Sequence, residues 1–191
     1  MASQTVEIEI KKRIGSKDAY SDIEQRLLNL SNHSESGVVF AGKATQIDVF
    51  VDQDGKIRDS LPQFSVLRIR RADNGRNVIT IKGPTILISG VARADEDEVS
   101  VDIDIADSLA SNYEVPLSHY NIPLLNHAVQ KFGLDPSKGL NPVGQYTTIR
   151  SKFAMKLWEE PIWNATGRKE SPILELDETV YDFGRAFEIE V

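Results

Sequence analysis

Segments in which apolar and charged residues alternate recur along this sequence, and they constrain its fold more than any other feature. Alternation with period two is typical of a β-strand whose two faces have different surroundings. Eight such segments begin near Val6, Ile47, Leu67, Ile79, Val99, Tyr146, Leu174 and Phe187. Many short strands at this spacing predict a mainly β protein, in which an antiparallel sheet curls or closes into a barrel.

Two segments have the periodicity of a helix instead. The first runs from Ser16 to about Asn32, and the second from Asn121 to Phe132 with Gly133 in the position of a C-terminal cap. Predicted loops cover residues 71–77, 133–144 and 161–172. We therefore expect an α+β domain in which a few helices pack on the outside of the strands.

Composition and charge exclude several functional classes. The chain has 191 residues, a net charge of −7 and no cysteine, so thiol nucleophiles, cysteine–zinc sites and iron–sulfur clusters are excluded. An acidic chain is a poor non-specific binder of nucleic acid. No apolar run approaches the roughly 20 residues that cross a bilayer, and no export signal precedes the first strand. We expect one cytoplasmic, monomeric domain over residues 1–191, with no nucleic-acid or membrane partner.

The alternating charges have two interpretations. Half-buried strands with one face in water are common, so a solvated face explains any single strand. However, the charges are segregated: four strands are mainly acidic and three mainly basic, and charge fills nearly every alternate position. If the sheet closes, its lumen would hold cations able to bind a polyphosphate and carboxylates able to bind a divalent metal. The two sets would also neutralise one another.

The order of the charged motifs resembles a known family. Glu7-Ile8-Glu9-Ile10-Lys11 matches the E-x-E-x-K motif of the CYTH domain, or triphosphate tunnel metalloenzyme, superfamily. Its other motifs follow in order as Leu67-Arg68-Ile69-Arg70, Thr80-Ile81-Lys82-Gly83, Tyr146-Thr147-Thr148-Ile149-Arg150-Ser151, Leu174-Glu175-Leu176-Asp177 and Phe187-Glu188-Ile189-Glu190. Asp182-Phe183-Gly184 makes thiamine triphosphatases and plant-type tripolyphosphatases the most similar members. The resemblance implies an eight-stranded antiparallel closed tunnel with a polar lumen.

The resemblance also implies a role for each charged residue. The metal ligands would be Glu7, Glu9, Asp177 and Glu190. The residues that hold the triphosphate would be Lys11, Arg68, Arg70, Lys82 and Arg150, and Glu188 would also line the substrate site. Lys152 has the same parity as Arg150, which leaves it in the tunnel or at its rim. The carboxylates that act in catalysis would be Glu9, Glu96 and Glu98. For the last two, Asp95 and Asp97 are the alternative register. We choose Glu96 and Glu98 because Val99, Val101 and Ile103 then share the outward face.

The implied activity is hydrolysis of a triphosphate phosphoanhydride with Mg²⁺ or Mn²⁺ as cofactor. Thiamine triphosphate is the first choice of small-molecule substrate, inorganic tripolyphosphate the alternative, and a non-catalytic polyphosphate- or nucleotide-binding module the third interpretation. Members of the family usually continue beyond the last strand with a helix and a further lysine. The sequence ends at Val191, on the last of these strands, so either that segment of the family is lost or the chain is incomplete.

Overall fold

The computed structural model describes residues 5–60, 65–88, 91–111, 114–156 and 172–191, without the side chains of residues 5–9, 87–88 and 91–93. The described chain divides into two compact units. Unit 1 comprises Met1–Glu9 and Thr45–Thr147, and unit 2 comprises Ile10–Ala44 and Thr148–Val191. The predicted loop at 161–172 and both tryptophans fall almost wholly outside the described residues.

The described elements are mainly antiparallel strands, which confirms the predicted mainly β fold with a few helices. The strands are β1 (Thr5–Glu9), β2 (Lys11–Ile14), β3 (Val38–Asp52), β4 (Val66–Ala72), β5 (Val78–Lys82), β6 (Ile86–Ile88), β7 (Val91–Ser100), β8 (Asn141–Met155), β9 (Ile173–Tyr181) and β10 (Gly184–Glu190). The α-helices are α1 (Lys17–Ser31), α2 (Ile103–Ser111) and α3 (Pro123–Phe132). Only Ile10 separates β1 from β2, and β6 is a three-residue addition to β7, so eight principal strands remain.

In unit 1 the strand order is β1-β7-β5-β4-β3. The apolar positions of the central strands are almost fully buried against α2 and α3. These positions are Val49, Val51, Leu67, Ile69, Ile79 and Ile81. Burying each of these side chains stabilises the unit by about 1.5–3 kcal/mol. The charged positions therefore occupy the opposite face of the same strands.

In unit 2 the strand order is β8-β9-β10-β2, and α1 covers the apolar face. The core there contains Ile14, Tyr20, Phe153 and Leu176. Helix α1 begins where the Ser16 side chain accepts a hydrogen bond from the Ala19 backbone N–H, which is an N-cap. Within the described part of the chain, none of the helices is long and apolar enough to cross a membrane.

Both predicted helices are present, and the structure adds a third. Gly133 ends α3 in the left-handed conformation, with φ of 62°, as the sequence indicated. The strand predicted to run through Ile103 was wrong, because β7 ends at Ser100 and α2 begins at Ile103. The predicted loop at 133–144 was also too long, since β8 already begins at Asn141.

Candidate functional site

The charged face of unit 1 is formed by residues that lie opposite one another on neighbouring strands. Asp48 on β3 pairs with Arg70 on β4, and Arg68 pairs with Thr80 on β5. Lys82 on β5 pairs with Glu96 on β7. Directly opposed residues in antiparallel strands share a face, so the register gathers these side chains. We call Asp48, Arg68, Arg70, Lys82 and Glu96 the unit 1 cluster.

The two arginines of this cluster are held by buried carboxylates. Arg70 donates from Nε to Asp48 Oδ1 at 2.7 Å and from Nη2 to Oδ2 at 2.9 Å. Arg68 donates from Nη2 to Glu96 Oε1 at 3.1 Å, and its side chain is only 13% exposed. Because both faces of β4 are shielded from water, the solvated-face interpretation of these charges does not hold.

Hydrogen-bonding capacity remains in this cluster. Arg68 Nε is buried and, among the described residues, has no hydrogen-bond partner, although Asp48 Oδ1 lies 3.8 Å away. An unsatisfied, buried guanidinium donor is costly. An anion that accepts from Arg68 Nε would therefore be favoured here.

Glu98 lies at the margin of this cluster. It is opposite Thr80 in the register, and the two side chains are 3.5 Å apart. Arg76 donates from Nη2 to Glu98 at 2.8 Å, and Arg76 is largely exposed. Asp97, the alternative in the other register, instead lies 3.7 Å from His127 of α3. Glu96 and Glu98 therefore lie on the face of Arg68, and Asp97 lies on the helix side.

An aromatic pair and a cavity adjoin the unit 1 cluster. Phe50 lies opposite Arg68, and its ring is 5.6 Å from that of Tyr146. Burial and the nearby Asp48 carboxylate raise the pKa of Tyr146, so its hydroxyl stays protonated. A mainly apolar cavity of about 660 Å³ is lined by Phe50, Val66 and Val143, among others. That volume is within the usual range for small-molecule sites.

Unit 2 has its own charged face, built on β8, β9, β10 and β2. Glu188 lies opposite Asp177, and Glu190 lies opposite both Glu175 and Lys11 on its two sides. Side-chain contacts add two bases from β8. We call the set Lys11, Arg150, Lys152, Glu175, Asp177, Glu188 and Glu190 the unit 2 cluster.

Arg150 is the centre of the unit 2 cluster. It donates from Nε to Asp177 Oδ1 at 2.8 Å and from Nη2 to Oδ2 at 2.6 Å. It also contacts Glu175, and Glu190 lies 3.5 Å from Nη2. Burial disfavours the charged guanidinium, but the hydrogen bonds that Arg150 donates to Asp177 and the charges of Asp177, Glu175 and Glu190 outweigh it and raise the pKa of Arg150. Arg150 is therefore always charged.

The two lysines at the edge of this cluster are more exposed. Lys152 Nζ is 2.5 Å from Glu175 Oε1, and the lysine side chain is 31% exposed. Lys11 Nζ is 3.4 Å from Glu190 Oε2 and 3.9 Å from Glu188 Oε2. Lys152 thus lies on the face of Arg150 rather than turned away from it.

Two further carboxylates in unit 2 belong to the helix side and not to the cluster. Glu178 contacts Lys17 and Arg185. Glu24 accepts from Lys43 at 2.7 Å and from Ser151 at 2.7 Å. Burial alone would raise the pKa of each, yet these partners lower it below the ordinary value of 4.5. Both residues fasten α1 and its surroundings to the strands.

A divalent metal requires several oxygen ligands, and the described side chains supply part of such a set. Within the described ranges, no group of three or more histidine or carboxylate side chains could hold a metal ion. Asp177 and Glu190 nevertheless both lie within 3.5 Å of Arg150 Nη2, so two carboxylates from neighbouring strands approach one cation. Mg²⁺ typically takes one or two carboxylates and completes its shell with phosphate oxygens and water. These residues fit such an ion.

The predicted ligands Glu7 and Glu9 have side chains outside the described part of the chain. Their backbone positions on β1 are opposite Ala94 and Ala92 of β7. The sequence interpretation omitted two residues that the structure places in the clusters, Asp48 and Glu175. Glu175 could have been found, because it has the same parity as Asp177; Asp48 required the register of β3 against β4.

Comparison with known proteins relates these clusters to a family. The search of curated proteins gave no match. Among solved structures, the putative adenylyl cyclase HpAC1 from Hippeastrum, described as having a dominant triphosphatase activity, is 27% identical with a TM-score of 0.74. The match covers 96% of this chain and 77% of that one. The PH1819 protein from Pyrococcus horikoshii OT3 covers the same shares at 17% identity and a TM-score of 0.44, which is too slight to bear on function.

The match to a family model extends over nearly the whole chain. The CYTH domain matches residues 5–191, from the first strand to the last residue. The motifs quoted from the sequence and the predicted antiparallel tunnel class of fold agree with this match. This chain therefore belongs to the CYTH domain family.

Proposed function

We propose that this protein hydrolyses a triphosphate. The observation that carries the proposal is the unit 1 cluster, in which three buried or half-buried cations on adjacent strands include an arginine with an unsatisfied Nε. Buried cations at several points suit a ligand with several negative charges. The triphosphatase activity named for the Hippeastrum protein, at 27% identity, supports the same reaction.

Each cluster has a part in the proposed reaction. Arg68, Arg70 and Lys82 in unit 1 bind phosphate oxygens and offset the charge that develops on them. In unit 2, Arg150, Lys11 and Lys152 bind anionic oxygens, and Glu188 lines the substrate site. Asp177 and Glu190 would hold Mg²⁺ or Mn²⁺, which supplies Lewis-acid stabilisation of phosphate oxygens when bound. Glu7 and Glu9, in unit 1, keep the metal-ligand role that the family motif implies.

Hydrolysis also requires an attacking water molecule to be oriented and deprotonated. We assign this role to the carboxylates of Glu9, Glu96 and Glu98, since a carboxylate within hydrogen-bond reach can accept the proton. Glu96 lies inside the unit 1 cluster through its contacts with Arg68 and Lys82. Glu98 is positioned by Arg76 and Thr80.

The cavity lined by Phe50 supports thiamine triphosphate as the substrate. Phe50, which packs against Tyr146, provides an aromatic face, and Asp52 and Asp59 contribute negative charge to the lining against the positive charge of Arg58. A positively charged thiazolium ring is attracted to aromatic faces and to carboxylates. Inorganic tripolyphosphate would leave the cavity unused. We also expect the active protein to be a cytoplasmic monomer.

A phosphate-release panel tests the reaction and the substrate together. Thiamine triphosphate, tripolyphosphate and ATP are each incubated with the protein, with Mg²⁺ or with chelator. We expect release with Mg²⁺, highest kcat/KM for thiamine triphosphate, and loss of release in Arg70→Ala but not in the control Arg26→Ala, at an exposed position of α1. Release from tripolyphosphate alone would favour the inorganic substrate. Binding of all three without release would contradict hydrolysis and support a binding module.

A further inference from the structure

Asp48 is the most deeply buried charge of the unit 1 cluster, and nothing in the motifs of the sequence singles it out. Its relative exposure is 0%, in a strand whose neighbours Val49 and Val51 belong to the apolar core. Buried carboxylates are retained only when they are paired and hydrogen-bonded. Each oxygen of Asp48 accepts from Arg70, and the Tyr146 hydroxyl is a further hydrogen-bonding neighbour.

The geometry of this pair fixes one arginine more strongly than the other. The two hydrogen bonds from Arg70 Nε and Nη2 occupy one edge of the guanidinium and set the orientation of its plane. Arg68 is only approached, with its Nε 3.8 Å from Asp48 Oδ1, so its own hydrogen bonds go to Glu96 and Thr80. Asp48 thus locks Arg70 and leaves Arg68 Nε available.

We propose that Asp48 is a positioning residue, which holds Arg70 in the orientation that binds phosphate. This inference rests on the proposed function, since it requires that Arg70 contact the triphosphate. A carboxylate beside an anion site has an obvious electrostatic cost, because it repels the ligand. Its retention between two arginines indicates that the orientation it imposes outweighs the charge it removes.

These two effects have opposite signs, so one substitution separates them. If Asp48 were only a counter-ion, Asp48→Ala would add net positive charge and tighten anion binding. If it positions Arg70, the same substitution frees the arginine and weakens binding by about tenfold, the lower end of what supporting residues contribute at bound-ion sites. Asp48→Asn keeps the shape and one acceptor, so we expect a smaller loss of about threefold and partial rescue relative to alanine.

The experiment measures the Kd for inorganic tripolyphosphate by calorimetry, with chelator and with Mg²⁺, after circular dichroism has shown that each variant is folded. Asp97→Asn is the matched control, since it removes one carboxylate from the helix side of β7, and its Kd should be unchanged. The double variant Asp48→Asn/Arg70→Ala tests the mechanism. Without Arg70 the Asp48→Asn substitution should no longer weaken binding, whereas a general packing defect would persist.

Each outcome decides one question. Weaker binding in Asp48→Asn or Asp48→Ala that disappears in the Arg70→Ala background supports the inference. Unchanged or tighter binding in the Asp48 variants, with normal binding by the unaltered protein, overturns the inference about Asp48 and leaves the proposed function standing. If Asp48→Ala does not fold, the asparagine variant and the double variant still show whether loss of the Asp48 charge weakens or tightens binding. Failure of the unaltered protein to bind tripolyphosphate under both conditions contradicts the proposed function itself.

Discussion

The two charged clusters use the same residue types in opposite proportions. Among the described side chains, the unit 1 cluster has three bases and two acids, and every acid contacts an arginine. The unit 2 cluster has three bases and four acids, and Arg150 alone contacts three of those acids. An excess of buried cations favours an anion, whereas an excess of buried carboxylates favours a further cation. We infer that the unit 1 cluster contributes mainly to phosphate recognition, and that the unit 2 cluster contributes metal ligands as well as anion-binding bases.

Removing Arg150 should have the largest effect on stability. Arg150→Ala leaves Glu175, Asp177 and Glu190 close together without their shared base, and we expect unfolding to become easier by about 3–5 kcal/mol in chelator. Mg²⁺ should recover part of that loss, because the metal replaces the missing charge. Urea denaturation with and without Mg²⁺ measures both effects. The control is Arg185→Ala, a more exposed arginine on the helix side; a loss no larger than the control's would contradict the assignment.

A conservative change in unit 1 should affect activity more than stability. Arg70→Lys keeps the charge but loses the two-bond pair with Asp48, so we expect kcat/KM to fall by about 100-fold through loss of transition-state stabilisation. Steady-state kinetics on the triphosphate that gives the fastest release provide the measurement. Arg26→Lys, at an exposed position of α1, is the control. Equal kcat/KM in the two variants would remove Arg70 from the site.

The stabilisation that Mg²⁺ gives should distinguish the two clusters, and this test substitutes no basic residue. We expect Mg²⁺ at 100 times its Kd to stabilise the unaltered protein by about 2.7 kcal/mol. Glu190→Gln should reduce that stabilisation, while Asp48→Asn in unit 1 should leave it intact. Thermal unfolding in chelator and in Mg²⁺ gives both comparisons. If the two variants respond alike, the metal is not held preferentially by unit 2.

The smallest expected effect is on stability at acidic pH, through two carboxylates that contact α1 and its surroundings in unit 2. Glu24 and Glu178 have pKa values below 4.5 in the folded protein because Lys43, Lys17 and Arg185 favour their charged forms. Their contribution to stability is therefore complete above the unfolded value and is lost as the pH falls through the lowered folded value. Glu178→Gln should flatten the dependence of stability on pH below 4.5. Urea titrations at a series of acidic pH values would show an unchanged slope if this linkage is absent.

Alternation alone was sufficient to locate most strands, because a side-chain period of two is set by the backbone. It failed where another element continued the same spacing. Val99, Val101 and Ile103 alternate as one strand would, yet Ile105, Ala106, Leu109 and Ala110 repeat with helical spacing and form the buried side of α2. Local periodicity could not decide at which residue one pattern gives way to the other.

The site was predictable to the extent that family motifs mark it. The cations Arg68, Arg70, Lys82 and Arg150 lie in charged clusters, as the resemblance implied, while their roles remain proposals. Asp48 was missed because one acid in the segment Ile47–Val51 gives no signal by itself. Its importance arises from the pairing of β3 with β4, a non-local contact that no local pattern specifies.

The shielding of both faces of β4 and of the second half of β8 restricts where residues can be inserted into or deleted from the chain. In β8 consecutive residues belong to different interiors: Arg150 joins the charged cluster and Ser151 the helix side. Deleting one residue would send guanidinium groups into the hydrocarbon core and aliphatic groups among the carboxylates. Insertions and deletions should therefore be confined to turns such as that at Gly75, where φ is 82° and a Cβ would meet open space. We expect substitutions on either face of these strands to be poorly tolerated as well.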